Sequence, residues 1–194
     1  MTMRRPRLNV LLGIVRLARG RADGLAQFGD SRQAFLASLL PLVAFPLLGE
    51  ALVAMGGNGE ASLTDLLATI CALLAPPVVS FSLARRWGRQ AAWPRFAIAF
   101  NWCQWVIPAV ACLLLLAVSG LIALGLPNDL AGHVWVLALA GYGLWLHWFL
   151  ARRALHLTTA RAIVLVIVVN VVTVALVVGP LLVGRLLSPM EPLG

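Results

Sequence analysis

The sequence predicts an all-α membrane protein with five transmembrane helices, its N-terminus cytoplasmic and its C-terminus outside, preceded by a short amphipathic interfacial helix. Two observations predict it. Five long apolar segments occupy most of the 194 residues, each near the roughly 20 residues that a helix needs to cross a bilayer. The connections between them alternate in charge. All but one of the fifteen basic residues fall in Met1 to Gln33, Arg85 to Arg95 and Arg152 to Arg161, whereas the other connections and the tail carry Glu50, Glu60, Asp65, Asp129 and Glu191. Short connections with an arginine excess stay on the cytoplasmic side, and this sets the threading.

Residues 1–33 form the cytoplasmic N-terminal segment. Leu8, Leu11, Leu12, Val15 and Ala18 recur there at helical spacing, with Asn9, Arg16 and Arg19 at other angles and Gly20 as a terminator. Such a helix lies in the headgroup layer or packs on the end of the bundle, and both placements stay open. Asn9, Gly13, Arg16 and Arg19 interrupt its apolar run, so the segment reads as retained rather than as a cleaved signal peptide.

The spans occupy residues 34–183. The first runs from Ala34 to Met55, with Pro41 and Pro46 as bends, Glu50 as its one charge, and Gly56-Gly57-Asn58-Gly59 as its end. Ser62, three residues before Asp65, gives a capping-box-like start to the second, which passes through Pro76-Pro77 to Ala84. Phe96 to Leu126 holds no charge over 31 residues. As one straight helix it exceeds the roughly 30 Å hydrocarbon core, so Pro108 or Ser119-Gly120 is expected to break or tilt it. The fourth span covers Val134 to Leu150 and the fifth Ala162 to Val183; residues 184–194 form a short outer tail. Trp87, Trp93, Trp135 and Trp148 fall near span ends, where amphipathic indoles belong. Leu83-Ala84-Arg85-Arg86 and Leu150-Ala151-Arg152-Arg153 open similar hairpins, consistent with either a parallel repeat or two ordinary arginine-bounded turns.

A composition of 61% apolar and 11% charged residues, with a mean hydropathy of +0.95, excludes an ordinary soluble domain. The net charge of +8 sits where topology already requires it and does not point to nucleic acid. No lysine occurs; an arginine-only basic set is typical of GC-rich bacterial genomes, which places the chain in a bacterial inner membrane. Cys71, Cys103 and Cys112 lie within spans and read as small apolar residues.

Few residues can carry chemistry. Glu50 is a candidate intramembrane ionisable site, or an interfacial anchor able to pair with His133; His147 is a second ionisable candidate. Asn101 and Gln104 are three apart and share a helix face, as do Asn170 and Thr173. Their amides read as interhelical hydrogen-bonding groups, with a polar path as the competing reading. Gly141-Tyr142-Gly143 reads as a packing element that lets a neighbouring helix approach while the phenol finds a polar partner. His133, His147 and His156 differ in depth and make no common metal site, and no hydrolase or nucleotide-binding motif is present, so no catalysis, metal or cofactor is assigned.

The last hairpin, Leu146-His147-Trp148-Phe149-Leu150-Ala151-Arg152-Arg153-Ala154-Leu155-His156-Leu157-Thr158-Thr159-Ala160-Arg161-Ala162, followed by a Val/Ile-rich span, resembles bacterial members of the Yip family, named after Ypt-interacting proteins. Gly141-Tyr142 is similar to the Gly-Tyr motif of eukaryotic members, whereas the Asp-Leu-Tyr-Gly-Pro motif is absent and His156 stands where glycine is common. Eukaryotic relatives are non-enzymatic trafficking factors that contact Rab-type GTPases. The resemblance therefore implies an integral membrane scaffold or membrane-organising factor working through membrane lipids and an unidentified protein partner, with homo-oligomerisation open. Arg16, Arg19, Arg152, Arg153 and Arg161 are the expected lipid or partner contacts. The alternative is a small permease or transporter subunit whose polar path uses Glu50, Asn101, Gln104, His147 and Asn170.

Overall fold

The computed structural model describes residues 9–40, 42–43 and 63–187. Glu50, Ser62 and the end of the tail lie outside them. Every regular element among the described residues is helical. Helix α1 is Val10–Ala18, a 3-10 turn spans Ala22–Gln27, and α2 covers 32–40. Then follow α3 (Leu63–Arg86), α4 (Trp93–Cys103), α5 (Val106–Ala123), α6 (Asn128–Ala154) and α7 (Thr159–Leu187).

Local chemistry sets these limits. Asn9 caps α1 by accepting the Leu12 N–H at 3.0 Å, and Ser31 accepts the Ala34 N–H at 3.1 Å at the start of α2. Four helix ends close alike, with a left-handed residue just past the last turn and a backbone N–H reaching back five residues. These bonds are Arg21 to the Arg16 carbonyl (2.9 Å), Arg89 to Ala84 (2.7 Å), Leu126 to Leu121 (3.0 Å) and Leu157 to Arg152 (3.2 Å). They satisfy carbonyls that would otherwise end the helix unpaired. The left-handed residues are Gly20, Gly88, Gly125 and His156, the last at φ 52°. The Leu-Ala-Arg-Arg echo thus coincides with a cap that also closes α1 and α5.

The 31-residue stretch Trp93–Ala123 is interrupted by a turn at Gln104-Trp105, ahead of the expected Pro108, and runs through Ser119-Gly120 without a break. The cause is still Pro108. Its ring lacks an N–H and crowds the carbonyl four residues earlier, which is that of Gln104. That carbonyl is taken up instead by the Ile107 N–H at 3.2 Å. Pro76 and Pro77, by contrast, lie inside a continuous α3.

Helix α3 packs along α7, α5 along α6, and α6 against α7 and α4. Phe96, Ile98, Leu146, Leu150, Leu155 and Leu165 form the buried centre. Leu17 of α1 and Phe28 after the 3-10 turn join that centre, so the N-terminal segment is docked on the bundle. Two glycines allow the dock. A Cβ at Gly13 would lie 2.6 Å from the Phe28 ring, and one at Gly24 would lie 2.8 Å from the Gly13 carbonyl.

Among the described residues, Trp93–Ala123, Asn128–Ala154 and Thr159–Gly179 are long and apolar enough to cross a membrane. Their outer surfaces carry Leu113, Leu116, Val136, Leu137, Ile167 and Val171, all exposed. A belt of that kind suits hydrocarbon and not water.

His156 holds a left-handed backbone that disfavours a Cβ. His156→Gly should stabilise the fold by about 0.5–1 kcal/mol, read as a rise in thermal midpoint in detergent, and His156→Val should lower it.

Candidate functional site

Several buried or half-buried polar side chains have interhelical partners, whereas the buried Asn101 Oδ1 and Trp148 Nε1 have none among the described residues. Asn101 of α4 is buried and its Nδ2 donates to Ser38 Oγ at 3.0 Å; that hydroxyl donates to the Phe35 carbonyl at 2.7 Å, tying α4 to α2. Trp93 Nε1 donates to Ser80 Oγ at 3.1 Å, joining α4 to α3. Trp135 Nε1 donates to the Ala111 carbonyl at 3.1 Å, joining α6 to α5. Tyr142 Oη donates to the Ala18 carbonyl at 3.0 Å, joining α6 to the end of α1.

The predicted common face of Asn101 and Gln104 is not used as one. Asn101 turns to α2, whereas Gln104 sits at the Pro108-induced bend and lines a cavity of about 530 Å³ between α3, the α4–α5 bend, α6 and α7. His147 of α6 and Asn170 and Thr173 of α7 line the same space. His147 is only 7% exposed, and its ring lies against Phe100 with centroids 4.6 Å apart. Asn170 Nδ2 donates to the Val166 carbonyl at 2.7 Å and lies 3.4 Å from His147 Nδ1. With the amide donating, Nδ1 accepts and the ring proton sits on Nε2. Thr173 Oγ1 donates to the Val169 carbonyl at 2.9 Å. Neither His147 Nε2 nor the Gln104 amide has a hydrogen-bond partner among the described residues. Phe100, Ile107, Trp135, Leu139 and Leu146 supply the apolar wall, and among the described residues no charged side chain lines it.

Of the five residues named for a polar path, the structure therefore unites Gln104, His147 and Asn170. Asn101 is directed elsewhere, and Glu50 lies outside the described residues, as does any pairing it makes with His133. The His133 Nδ1 is 2.6 Å from the Asp129 carbonyl of its own helix. Cys103, read as a small apolar residue, and Trp135, read as an interfacial anchor, also line the cavity. No periodicity relates residues on different helices, so the sequence held no signal for either.

The nominated arginines divide. Arg16 is paired with Asp23 at 3.2 Å, and Asp23 also accepts from Arg21 at 3.1 Å. Arg19, Arg152, Arg153 and Arg161 are exposed with no carboxylate partner among the described residues. The Arg152 guanidinium lies 5.3 Å from the centre of the Trp148 ring. Helix α1 buries Gly13 and Leu17 against the bundle and turns Leu11 (75% exposed), Leu12 and Val15 outward. It thus packs on the protein and still presents an apolar face.

Gly141 does not serve as a close-packing point, since a Cβ there would meet nothing within 4 Å, and one at Gly143 would meet only Ile107 at 3.7 Å. The close approach lies instead at Gly13 and Gly24. The expected polar partner of Tyr142 is the Ala18 carbonyl.

In comparisons with protein-family models, curated proteins and solved structures, nothing matches this chain.

Tyr142→Phe removes one interhelical hydrogen bond, worth about 1 kcal/mol. Amide exchange within residues 10–18 should accelerate about fivefold while α6 stays protected. Unchanged exchange would show that the phenol does not hold α1.

Proposed function

We propose that the protein is a non-enzymatic, multi-pass protein of a bacterial inner membrane, of Yip-like type, that organises the membrane through lipid and protein contacts at an arginine-bearing cytoplasmic face. In this reading five helices span the bilayer, with the N-terminus inside and the C-terminus outside, because arginine-rich turns resist translocation. One observation carries it. Arg152, Arg153 and Arg161 project from the α6–α7 turn with no carboxylate partner among the described residues, as does Arg19 at the end of a docked helix whose outer side is Leu11, Leu12 and Val15. Apolar side chains beside unpaired guanidinium groups match the boundary between acyl chains and anionic headgroups. The Yip-like hairpin supports the same class.

A second reading, a small permease subunit, is favoured by the meeting of Gln104, His147 and Asn170 on one cavity. The two differ in whether water reaches that cavity.

For the first reading, the protein purified with phosphatidylglycerol and phosphatidylcholine should retain the anionic lipid selectively. Each arginine contributes about 1 kcal/mol near a charged surface, so a combined Arg152→Gln, Arg153→Gln, Arg161→Gln variant should lose selectivity at least tenfold by native mass spectrometry. Equal retention by both proteins would contradict it. For the second, Cys103 in a Cys71→Ala, Cys112→Ala background should react with a charged thiol reagent if the cavity is a water path; protection from the reagent would oppose a permease.

A further inference from the structure

A groove of about 620 Å³ runs between α6 and α7, separate from the His147 cavity and on the other side of the α6–α7 seam at Leu144 and Asn170. Trp145 and Trp148 line it on the α6 side and Ile163, Ile167 and Val171 on the α7 side, and its surface is apolar. The three α7 residues are exposed, which leaves the groove open along its length to the surrounding hydrocarbon.

Reach and charge indicate its occupant. From Thr159, the first residue of α7, to Val171 the groove follows about 18 Å of helix at 1.5 Å per residue. One leaflet of a hydrocarbon core roughly 30 Å thick is about 15 Å deep. The groove thus starts at the α6–α7 turn and stops near mid-membrane, the depth of one acyl chain, whereas a partner's spanning helix would run through the whole core. At the turn end stands Arg152. Its guanidinium lies 5.3 Å from the centre of the Trp148 ring, which lines the groove. A guanidinium seated on an indole is held in place and keeps N–H edges for a phosphate.

The acids of the chain lie elsewhere. Asp23 is taken by Arg16 and Arg21, and Asp30 by Arg95. Asp129 opens α6 at its far end, about 35 Å along the helix from Arg152. In the proposed threading Glu50, Glu60, Asp65 and Glu191 belong to the opposite side of the bilayer. A zwitterionic headgroup would bring its own ammonium beside Arg152, so a net-negative one is favoured.

We propose that the α6–α7 groove binds one anionic phospholipid of the cytoplasmic leaflet, an acyl chain lying along Trp145, Trp148, Ile163 and Ile167 and the phosphate at Arg152. The site rests on the membrane-organising reading for its threading and deepens it, giving one lipid a defined seat beside the general attraction of the arginine-bearing face.

The test is photolabelling of the full-length protein in nanodiscs with phosphatidylglycerol carrying a diazirine in one acyl chain. Label is expected on peptides within 144–171, about fivefold above that from phosphatidylcholine with the same chain, the preference that one arginine near the surface supplies. Ile167→Trp, which fills the groove from an exposed position, should cut labelling about tenfold, and Leu113→Trp on the exposed outer face of α5 should leave it unchanged. Arg152→Gln should bring the two lipids level. The proposal is overturned by label spread evenly over the outer faces of α5 and α7, by undiminished labelling of a monodisperse Ile167→Trp protein, or by a phosphatidylglycerol preference that survives Arg152→Gln. The two readings fail separately. Selective lipid retention by the whole protein with undiminished Ile167→Trp labelling sinks the groove alone; unselective retention with groove labelling that still depends on Arg152 sinks the wider arginine face alone.

Discussion

Hydrocarbon solvates neither a guanidinium group nor an unpaired amide, and the arrangement of this molecule follows from that cost. Four helix ends turn their loose carbonyls back onto their own chain. Polar side chains between helices answer one another: Asn101 with Ser38, Trp93 with Ser80, Trp135 with Ala111 and Tyr142 with Ala18. Each bond is modest in energy, yet each would be expensive to leave unmade. Together they set which helix lies beside which, a choice that apolar side chains, equally at home against lipid, do not dictate.

The same rule makes the exceptions informative. His147 is held in place through Nδ1 by Asn170 and through its face by Phe100, while its Nε2, like the buried Asn101 Oδ1 and Trp148 Nε1, has no hydrogen-bond partner among the described residues. Gln104 lines the cavity at the turn between α4 and α5, where Pro108 has no N–H to offer its carbonyl and the Ile107 N–H takes it instead.

How much of this was legible in the sequence depends on the range of the interaction. Short-range features read well. The amphipathic α1, its stop at Gly20 and the need for a break in the long apolar stretch all follow from residues a few positions apart. The location of the break was misplaced, since proline acts on the preceding turn and not on its own. Pairings across helices did not read at all. Asn101 and Gln104 look equivalent at three-residue spacing and end in different surroundings, and the close contact expected at Gly141 is made by Gly13 and Gly24. Arg16, nominated for lipid, is taken by Asp23. His156 is instructive in the other direction. Its left-handed backbone is one that glycine adopts more readily than a residue with a Cβ.

Two distinct surfaces emerge, one made of exposed arginines with an apolar helix beside them, the other an inward cavity with unspent hydrogen-bond donors. They share the proposed threading, in which the turns after α3 and α6 lie on the same side and the turn after α5 on the other. Fusions of a periplasm-dependent phosphatase at Gly88, His156 and Gly125 test that threading most directly. The account predicts activity at Gly125 alone. Strong activity at Gly88 or His156 would contradict it.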